Sequence, residues 1–324
     1  MLRSVESKRH SMPNTEHAIV VDQLCKRYGA LLAVDNISFT VKTGEMFAFL
    51  GPNGAGKSTT AEVIETIRKP TSGKVSVLGM DVAKRKAAIV RRIGVLPQGF
   101  SSFDRITVRE SLRFYARVFG CRTDIDALMD LTNLRSKADA QFNTLSGGLK
   151  QRLGIAAALV NDPEVVFLDE PTTGLDPHAR RQVWDVLKGL KSRGKTIFLT
   201  THYMEEAELL ADTVAIISRG RIVAMDSPAR LTEKHADHLR LTLESIDKAA
   251  LPLIRALGFR PRQTNDECMS VAVKSADDVR RILDEIQKAG LSPSSLDVRK
   301  PNLEEVFLKL TDETPQADAG ADSP

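Results

Sequence analysis

The sequence lacks any apolar run long enough to cross a membrane as a helix. A spanning helix needs roughly 18 or more consecutive apolar residues, and charged residues interrupt every apolar stretch of this chain before that length. The first ten residues carry charge and precede no apolar stretch, unlike a secretory signal peptide. We therefore expect a soluble, intracellular protein that reaches a membrane only through a partner.

The chain also has few cysteines and only a small excess of positive over negative charge. The three cysteines, Cys25, Cys121 and Cys268, are scattered and form no C-x-x-C pair, which favours free thiols in a reducing compartment over a metal site or a disulfide. Lysine and arginine number 46 and acidic residues 42, so the net charge is only +4. These charges are interspersed rather than gathered in a basic block, which argues against nucleic acid as a partner.

One glycine-rich segment carries the strongest chemical signal. It follows an apolar strand, precedes a helical run and fits the phosphate-loop pattern G-x-x-x-x-G-K-[ST] at every position. In such a loop backbone N–H groups and a helix N-terminus face an anion, the lysine reaches the outer phosphates and the serine hydroxyl can ligate Mg²⁺. The pattern predicts a site for a nucleoside triphosphate, formed by Gly51, Pro52, Asn53, Gly54, Ala55, Gly56, Lys57 and Ser58.

Alternating β-rich and helical runs over residues 17–234 predict an α/β domain with a parallel sheet and helices on both faces. Residues 107–159 break the alternation and predict a helical insertion, a subdomain over about 99–152. Residues 235–311 predict a small α+β domain, and the segments 1–16 and 312–324 predict loose tails. The predicted strands of the first domain cover 18–22, 36–41, 46–50, 74–78, 94–96, 164–168, 196–200 and 214–217.

Two acids follow a buried apolar strand, Val165 to Leu168. The carboxyl end of a strand is where α/β sheets place their ligands. Asp169 is suited to hold Mg²⁺, because this hard cation takes oxygen ligands. Glu170 would then lie beside the γ-phosphate and could activate a water as general base. A strand that ends in solvated acids is the alternative, and the phosphate loop favours the catalytic interpretation.

The motifs together resemble those of the ATP-binding cassette (ABC) family. Leu145-Ser146-Gly147-Gly148 is similar to the family's signature motif, and the other family elements occur in the expected order over about 17–234. The resemblance implies that Tyr28 is the adenine-stacking aromatic and that Gln98 belongs to a glutamine loop that also serves Mg²⁺ and catalysis. It further implies that Asp176 lies in a D-loop, that His202 is a switch histidine and that Thr59 is a further phosphate-loop contact.

The same resemblance implies a head-to-tail dimer, in which Ser146, Gly147 and Gly148 contact the γ-phosphate bound to the partner chain. Hydrolysis of Mg-ATP would then require two copies of this cassette or a homologous one. One position departs from the family pattern: Leu149 stands where glutamine is usual. Because the leucine side chain cannot hydrogen-bond, we expect a working site of altered affinity; a degenerate, inactive site is the alternative.

The type of ABC protein is indicated by two further segments, residues 104–110 and the ending 301–307. Both resemble ATPases of daunorubicin-exporter-like, ABC-2 type systems with a C-terminal accessory domain. The expectation is an ATPase at the cytoplasmic face of the membrane that powers export of a small or lipid-like compound through a separately encoded permease. An ABC ATPase of translation or DNA maintenance and an importer ATPase are the alternatives.

Overall fold

The computed structural model describes residues 16–235, 239–265, 268–300 and 302–312. The chain divides into two compact units, Met1–Val223 and Ala224–Pro324. The boundary predicted between residues 234 and 235 lies later than this division, because helix Pro228–His235 packs against helix Leu303–Asp312 within the second unit. Most of the two predicted tails lies outside the described residues.

The first unit holds both strands and helices, as the sequence predicts, and its last strand continues past Val223. The strands are β1 (His17–Tyr28), β2 (Leu31–Lys42), β3 (Met46–Leu50), β4 (Ser72–Val77), β5 (Met80–Asp81), β6 (Ile93–Leu96), β7 (Val165–Asp169), β8 (Thr196–Thr201), β9 (Thr213–Ser218) and β10 (Arg221–Asp226). Its helices are α1 (Lys57–Ile64), α2 (Lys86–Val90), α3 (Val108–Phe119), α4 (Ile125–Leu131), α5 (Gly147–Ala158), α6 (Pro177–Ser192) and α7 (Met204–Leu210).

The central sheet has six strands in the order β10-β9-β3-β8-β7-β6. Strand β3 pairs in parallel with β8 and β9, and β7 pairs in parallel with β6 and β8. Its register sets Leu50 opposite Thr201 and Asp169 opposite Thr200. The carboxyl ends of the neighbouring parallel strands β3, β8 and β7 therefore lie side by side at the same end of the sheet.

The predicted parallel sheet is present, but it does not contain all the strands predicted for residues 17–234. Strands β1, β2, β4 and β5 form a separate antiparallel sheet in the order β2-β1-β4-β5. Only Gly29 and Ala30 connect β1 to β2, and a parallel pair needs a crossover of about a dozen residues or more. Phe39 of this sheet stacks on Phe47 of β3, 5.2 Å between ring centroids, in a shared core.

The segment predicted to be helical, 107–159, contains α3, α4 and α5, with two short 3₁₀ turns. Helix α3 begins at a capping box, in which the Thr107 side chain accepts from the Glu110 N–H and the Glu110 side chain accepts from the Thr107 N–H. The buried faces of α3, α4 and α5 join the core beneath α6. This arrangement places the start of α5 beside α6.

The second unit packs helices on an antiparallel sheet of order β12-β13-β11-β14. The sequence pattern of this domain predicts a helix over 246–257. The helix in the structure is shorter, because the Asp247 carboxylate accepts from the Ala249 N–H in a turn that precedes it. The elements are α8 (Pro228–His235), β11 (Leu239–Glu244), α9 (Ala250–Ala256), β12 (Arg262–Asn265), β13 (Cys268–Val273), α10 (Ala276–Lys288), β14 (Ser295–Arg299) and α11 (Leu303–Asp312).

Candidate functional site

The glycine-rich loop connects β3 to α1, and two of its glycines are required by close packing. A Cβ at Gly51 would lie 2.5 Å from the Ile217 carbonyl oxygen, and one at Gly56 would lie 2.5 Å from the Ala33 carbonyl oxygen. Gly56 also has φ +102°, a backbone conformation that residues other than glycine rarely adopt. The tight loop therefore delivers the N-terminus of α1 to the edge of the central sheet.

Lys57 is the first residue of α1, and its side chain folds back over the loop. Its ammonium donates to the Gly51 and Pro52 carbonyl oxygens, at 2.8 and 3.1 Å, and lies 3.4 Å from the Glu170 carboxylate. Lys57 is only 5% exposed. A buried positive charge therefore lies at the N-terminus of α1, and both features favour the binding of an anion.

The side chains of the site converge on the Glu170 carboxylate. Its carboxylate oxygen Oε2 accepts from Thr173 Oγ1 at 3.0 Å and Gln98 Nε2 at 3.4 Å, and lies 3.2 Å from His202 Nδ1. Its backbone has φ +49° and is held by a hydrogen bond from its N–H to the Thr200 carbonyl oxygen at 3.1 Å. One carboxylate therefore connects the segments that follow β6, β7 and β8.

The electrostatic surroundings favour the ionised form of Glu170. Burial by itself would raise the pKa of this carboxyl, but the His202 imidazole at 3.2 Å, the charge of Lys57 and the hydrogen bond from Thr173 together lower the pKa below its usual value. At neutral pH Glu170 is thus a carboxylate that can accept a proton.

Asp169 and Ser58 are suited to an oxygen-seeking cation. Ser58 Oγ lies 3.4 Å from Asp169 Oδ1, the same oxygen that accepts from the Thr200 hydroxyl. No cluster of three or more His, Cys, Asp or Glu residues able to hold a metal occurs among the described residues. Mg²⁺ is commonly bound by one or two protein oxygens together with substrate phosphates and water, so this donor pair fits Mg²⁺. Gln98, predicted as a further ligand, contacts Glu170 instead.

A cleft of about 690 Å³ opens over these groups. Tyr28, the predicted adenine-stacking residue, lies on its wall with 37% exposure. Ten predicted residues line the cleft together with three that sequence reasoning missed, Leu31, Ala33 and Thr173; the ten are Tyr28, Asn53, Gly54, Gly56, Lys57, Ser58, Thr59, Gln98, Glu170 and His202. The other loop residues, Gly51, Pro52 and Ala55, do not line the cleft.

The predicted dimer contacts do not line this cleft. Ser146 caps α5, where its hydroxyl accepts from the Leu149 N–H at 3.4 Å, and Asp176 caps α6, where its carboxylate accepts from the Ala179 N–H at 2.9 Å. A Cβ at Gly148 would lie 2.7 Å from the Ala179 Cβ, so the two helix starts are in close contact. Ser146 and Gly147 are thus exposed outside the cleft, whereas Gly148 is buried against α6.

Comparison with known proteins agrees with this geometry. The family model described as ABC transporter matches residues 34–173. "Nod factor export ATP-binding protein I" of Mesorhizobium japonicum (strain LMG 29417 / CECT 9101 / MAFF 303099) is 41% identical over 313 residues, 94% of this chain and 90% of the relative. The protein of the same name from Rhizobium sp. (strain N33) is 43% identical over 293 residues, 88% of this chain and 94% of that one.

This chain belongs to the ABC transporter family. It is an ATP-binding subunit with ATPase activity. A dimeric cassette solved in a post-hydrolysis state with ADP and Pi has a TM-score of 0.59 at 26% identity, covering 64% of this chain and 98% of the other. The structure of another ABC transporter ATP-binding subunit has a TM-score of 0.60 at 28% identity, covering 67% and 92%. No described helix of this subunit is both long and apolar enough to cross a membrane.

Proposed function

We propose that this ABC subunit powers export through a separate membrane permease, from the cytoplasmic face of the membrane. The convergence of Lys57, Gln98 and His202 on the Glu170 carboxylate is the observation that supports the energy-supplying reaction. Export is supported by the relatives named for Nod factor export, since they match this chain over 94% and 88% of its length. We infer the direction of transport by this subunit from these relatives, but we do not infer its cargo from them.

In the proposed reaction, Lys57 and the backbone N–H groups of the loop bind the outer phosphates of ATP. The water oxygen bonds to the γ-phosphorus while the bond from that phosphorus to the ADP oxygen breaks, so that ADP and phosphate form. Glu170 accepts a proton from this water, and its lowered pKa keeps it in the ionised form that this step needs. His202 contacts the γ-phosphate, and Gln98 positions the water beside Glu170. Tyr28 stacks on the adenine ring, because its exposed face lies on the cleft wall.

Ser58 and Asp169 would hold Mg²⁺, which neutralises charge on the phosphates when it is bound. The hydrogen bond from the Thr200 hydroxyl orients the Asp169 carboxylate. It leaves the second carboxylate oxygen available, and Ser58 lies within 3.4 Å of the first. The contact between Gln98 and Glu170 is compatible with a water-mediated role for Gln98 toward the cation.

The second half of each site would come from another copy of this cassette or a homologous one. Ser146, Gly147, Gly148 and Asp176 lie on helix N-termini that one chain leaves without a nucleotide. A γ-phosphate on the partner would meet the start of α5 as an anion meets any helix N-terminus. The structure of a related cassette as a dimer with ADP and Pi supports the dimer itself.

The C-terminal unit would stabilise that dimer. Its ending resembles the one that follows the cassette in daunorubicin-exporter-like ATPases of the ABC-2 type with an accessory domain. It has its own core, to which Leu241, Val271 and Ile282 contribute. The matches to exporters extend through it, since they cover about nine tenths of the chain. Such an independent core is typical of a separate module.

The test is a co-purification with a hydrolysis-deficient variant. Tagged Glu170→Gln protein is expressed in its own source, membranes are dissolved in detergent with ATP and Mg²⁺, and bound proteins are identified. We expect a multi-spanning membrane protein, retained with ATP and lost without it. Lys57→Ala is the matched control, because it should be unable to bind ATP. Recovery of ribosomal or DNA-bound proteins in place of a permease would refute the export proposal.

A further inference from the structure

Glu206 is a buried acid that the proposed reaction does not use. It lies in the first turn of α7, four residues after His202, and its side chain has no exposed surface. Burial raises the pKa of its carboxyl, which hydrogen bonds from Thr172 and Trp184 and the charge of Arg180 only partly offset. A buried carboxyl is costly unless it is hydrogen-bonded, so these contacts call for an explanation.

The hydrogen bonds of Glu206 reach two separate segments. Its Oε1 accepts from Thr172 Oγ1 at 2.9 Å and from Trp184 Nε1 at 3.1 Å. Thr172 belongs to the segment between Glu170 and Asp176, Trp184 belongs to α6, and Glu206 itself lies on α7, which begins just after His202. A single carboxyl oxygen thus connects the segment after β7 and α6 to the segment that contains His202.

The segment after Glu170 and the segment that contains His202 carry the groups that must stay aligned for hydrolysis. Thr172 is completely buried and lies next to Thr173, which donates to the Glu170 carboxylate at 3.0 Å. His202 lies 3.2 Å from that same carboxylate. Any movement of one segment against the other would change the placement of His202 relative to Glu170. Misplacement by about 1 Å can cost on the order of 100-fold in rate.

We propose that Glu206 is a positioning residue for ATP hydrolysis, whose buried carboxyl oxygen holds the segment after Glu170 and the segment containing His202 in register. The inference rests on the proposed roles of Glu170 and His202. What the position needs is a hydrogen-bond acceptor, since Thr172 and Trp184 both donate to it. Glutamine keeps such an oxygen, whereas leucine fills similar space without one.

The test compares Glu206→Gln with Glu206→Leu. We expect Glu206→Gln to keep kcat within about threefold, and Glu206→Leu to lower kcat by roughly tenfold to 100-fold with an unchanged KM for ATP, because alignment rather than binding is lost. Glu205→Leu is the matched control, since the neighbouring Glu205 is largely exposed. Loss of kcat in Glu206→Gln equal to that in Glu206→Leu, or normal turnover by Glu206→Leu, would overturn the proposal.

Two further measurements separate positioning from a general loss of folding. Thr172→Val removes one donor, so in the Glu206→Leu background it should lower kcat no further, whereas additive losses would contradict the shared role. Trp184 is the only tryptophan of the chain, so its fluorescence emission should shift in folded Glu206→Leu and remain unchanged in Glu206→Gln. An unshifted emission in Glu206→Leu would also count against the proposal.

The same experiments distinguish this inference from the proposed function. Wild-type turnover by Glu170→Gln would refute the assignment of the general base. Additive effects of Glu206→Leu and Thr172→Val beside an inactive Glu170→Gln would refute only the positioning role.

Discussion

At the scale of the residue, the chemistry of the site centres on Glu170. A non-glycine residue with positive φ is uncommon, and Glu170 has φ +49° where the chain leaves β7. Such a conformation costs about 1–3 kcal/mol and persists only where the surroundings enforce it. Here the Thr200 carbonyl binds its N–H and Thr173 binds its carboxylate. The strained backbone turns the side chain toward Lys57 and His202.

Replacement of Glu170 by glutamine should separate ATP binding from hydrolysis. The amide cannot accept a proton from water, so we expect kcat to fall by about 10²–10⁴-fold while Mg-ATP still binds. Lys57 keeps its carbonyl contacts with Gly51 and Pro52 in this variant. Steady-state ATPase assays and nucleotide binding measure the two effects. A variant that hydrolyses ATP at the wild-type rate would show that another group is the base.

At the scale of the element, the N-termini of α1 and α5 have the same physical property and different partners. Helix α1 presents its N-terminus to the cleft through the loop at Gly56. Helix α5 begins outside the cleft, with Ser146 as its cap and Gly148 pressed against α6. The contact between α5 and α6 fixes where Ser146 points, so the packing at Gly148 determines the second proposed phosphate contact.

Alanine substitutions at two helical glycines should have opposite effects. At Gly148 an added Cβ would lie 2.7 Å from the Ala179 Cβ, so Gly148→Ala should lower the free energy of unfolding by about 1–3 kcal/mol through overpacking. At Gly189 of α6 no atom lies within 4 Å of an added Cβ, and Gly189→Ala should raise it by about 0.5–1 kcal/mol. Urea unfolding measures both; equal effects at the two sites would contradict the packing account.

At the scale of the whole molecule, one chain holds two unlike halves of a site. The cleft contains Lys57 and Glu170, while Ser146 and Gly148 lie elsewhere on the same unit. A symmetric dimer with one two-fold axis presents each half to the other twice. The proposal therefore predicts that damage to the two halves can be separated and then complemented.

A mixture of Lys57→Ala and Ser146→Arg should recover ATPase activity that neither variant has alone. In a mixed dimer, the intact loop of one chain meets the intact Ser146 of the other, so one of two sites works. Random pairing then gives about a quarter of the wild-type rate if the two sites act independently. ATPase assays on mixed and unmixed variants measure this. Mixed dimers that form and stay inactive would refute the head-to-tail arrangement.

The sequence by itself determined the features that depend on neighbouring residues. The loop from Gly51 to Ser58 and the acids Asp169 and Glu170 are local patterns, because a tight turn needs glycine and a buried strand needs an apolar run. The bounds of β3 were predicted without error, since all five of its residues are buried. The ABC family was identified from the same motifs and is confirmed by the relatives. The roles of the individual site residues stay predictions until the variants are measured.

Only the tertiary structure decided which distant residues meet. The separate sheet of β1, β2, β4 and β5 depends on pairing directions that alternation of strands and helices does not encode. Thr173 lies close to Glu170 in sequence, but Thr200 and Glu206 reach the site through strand register and helix packing across 30 or more positions. Buried polar groups select such partners only once the core has formed, because hydrogen bonds outweigh desolvation only when both groups are held in place.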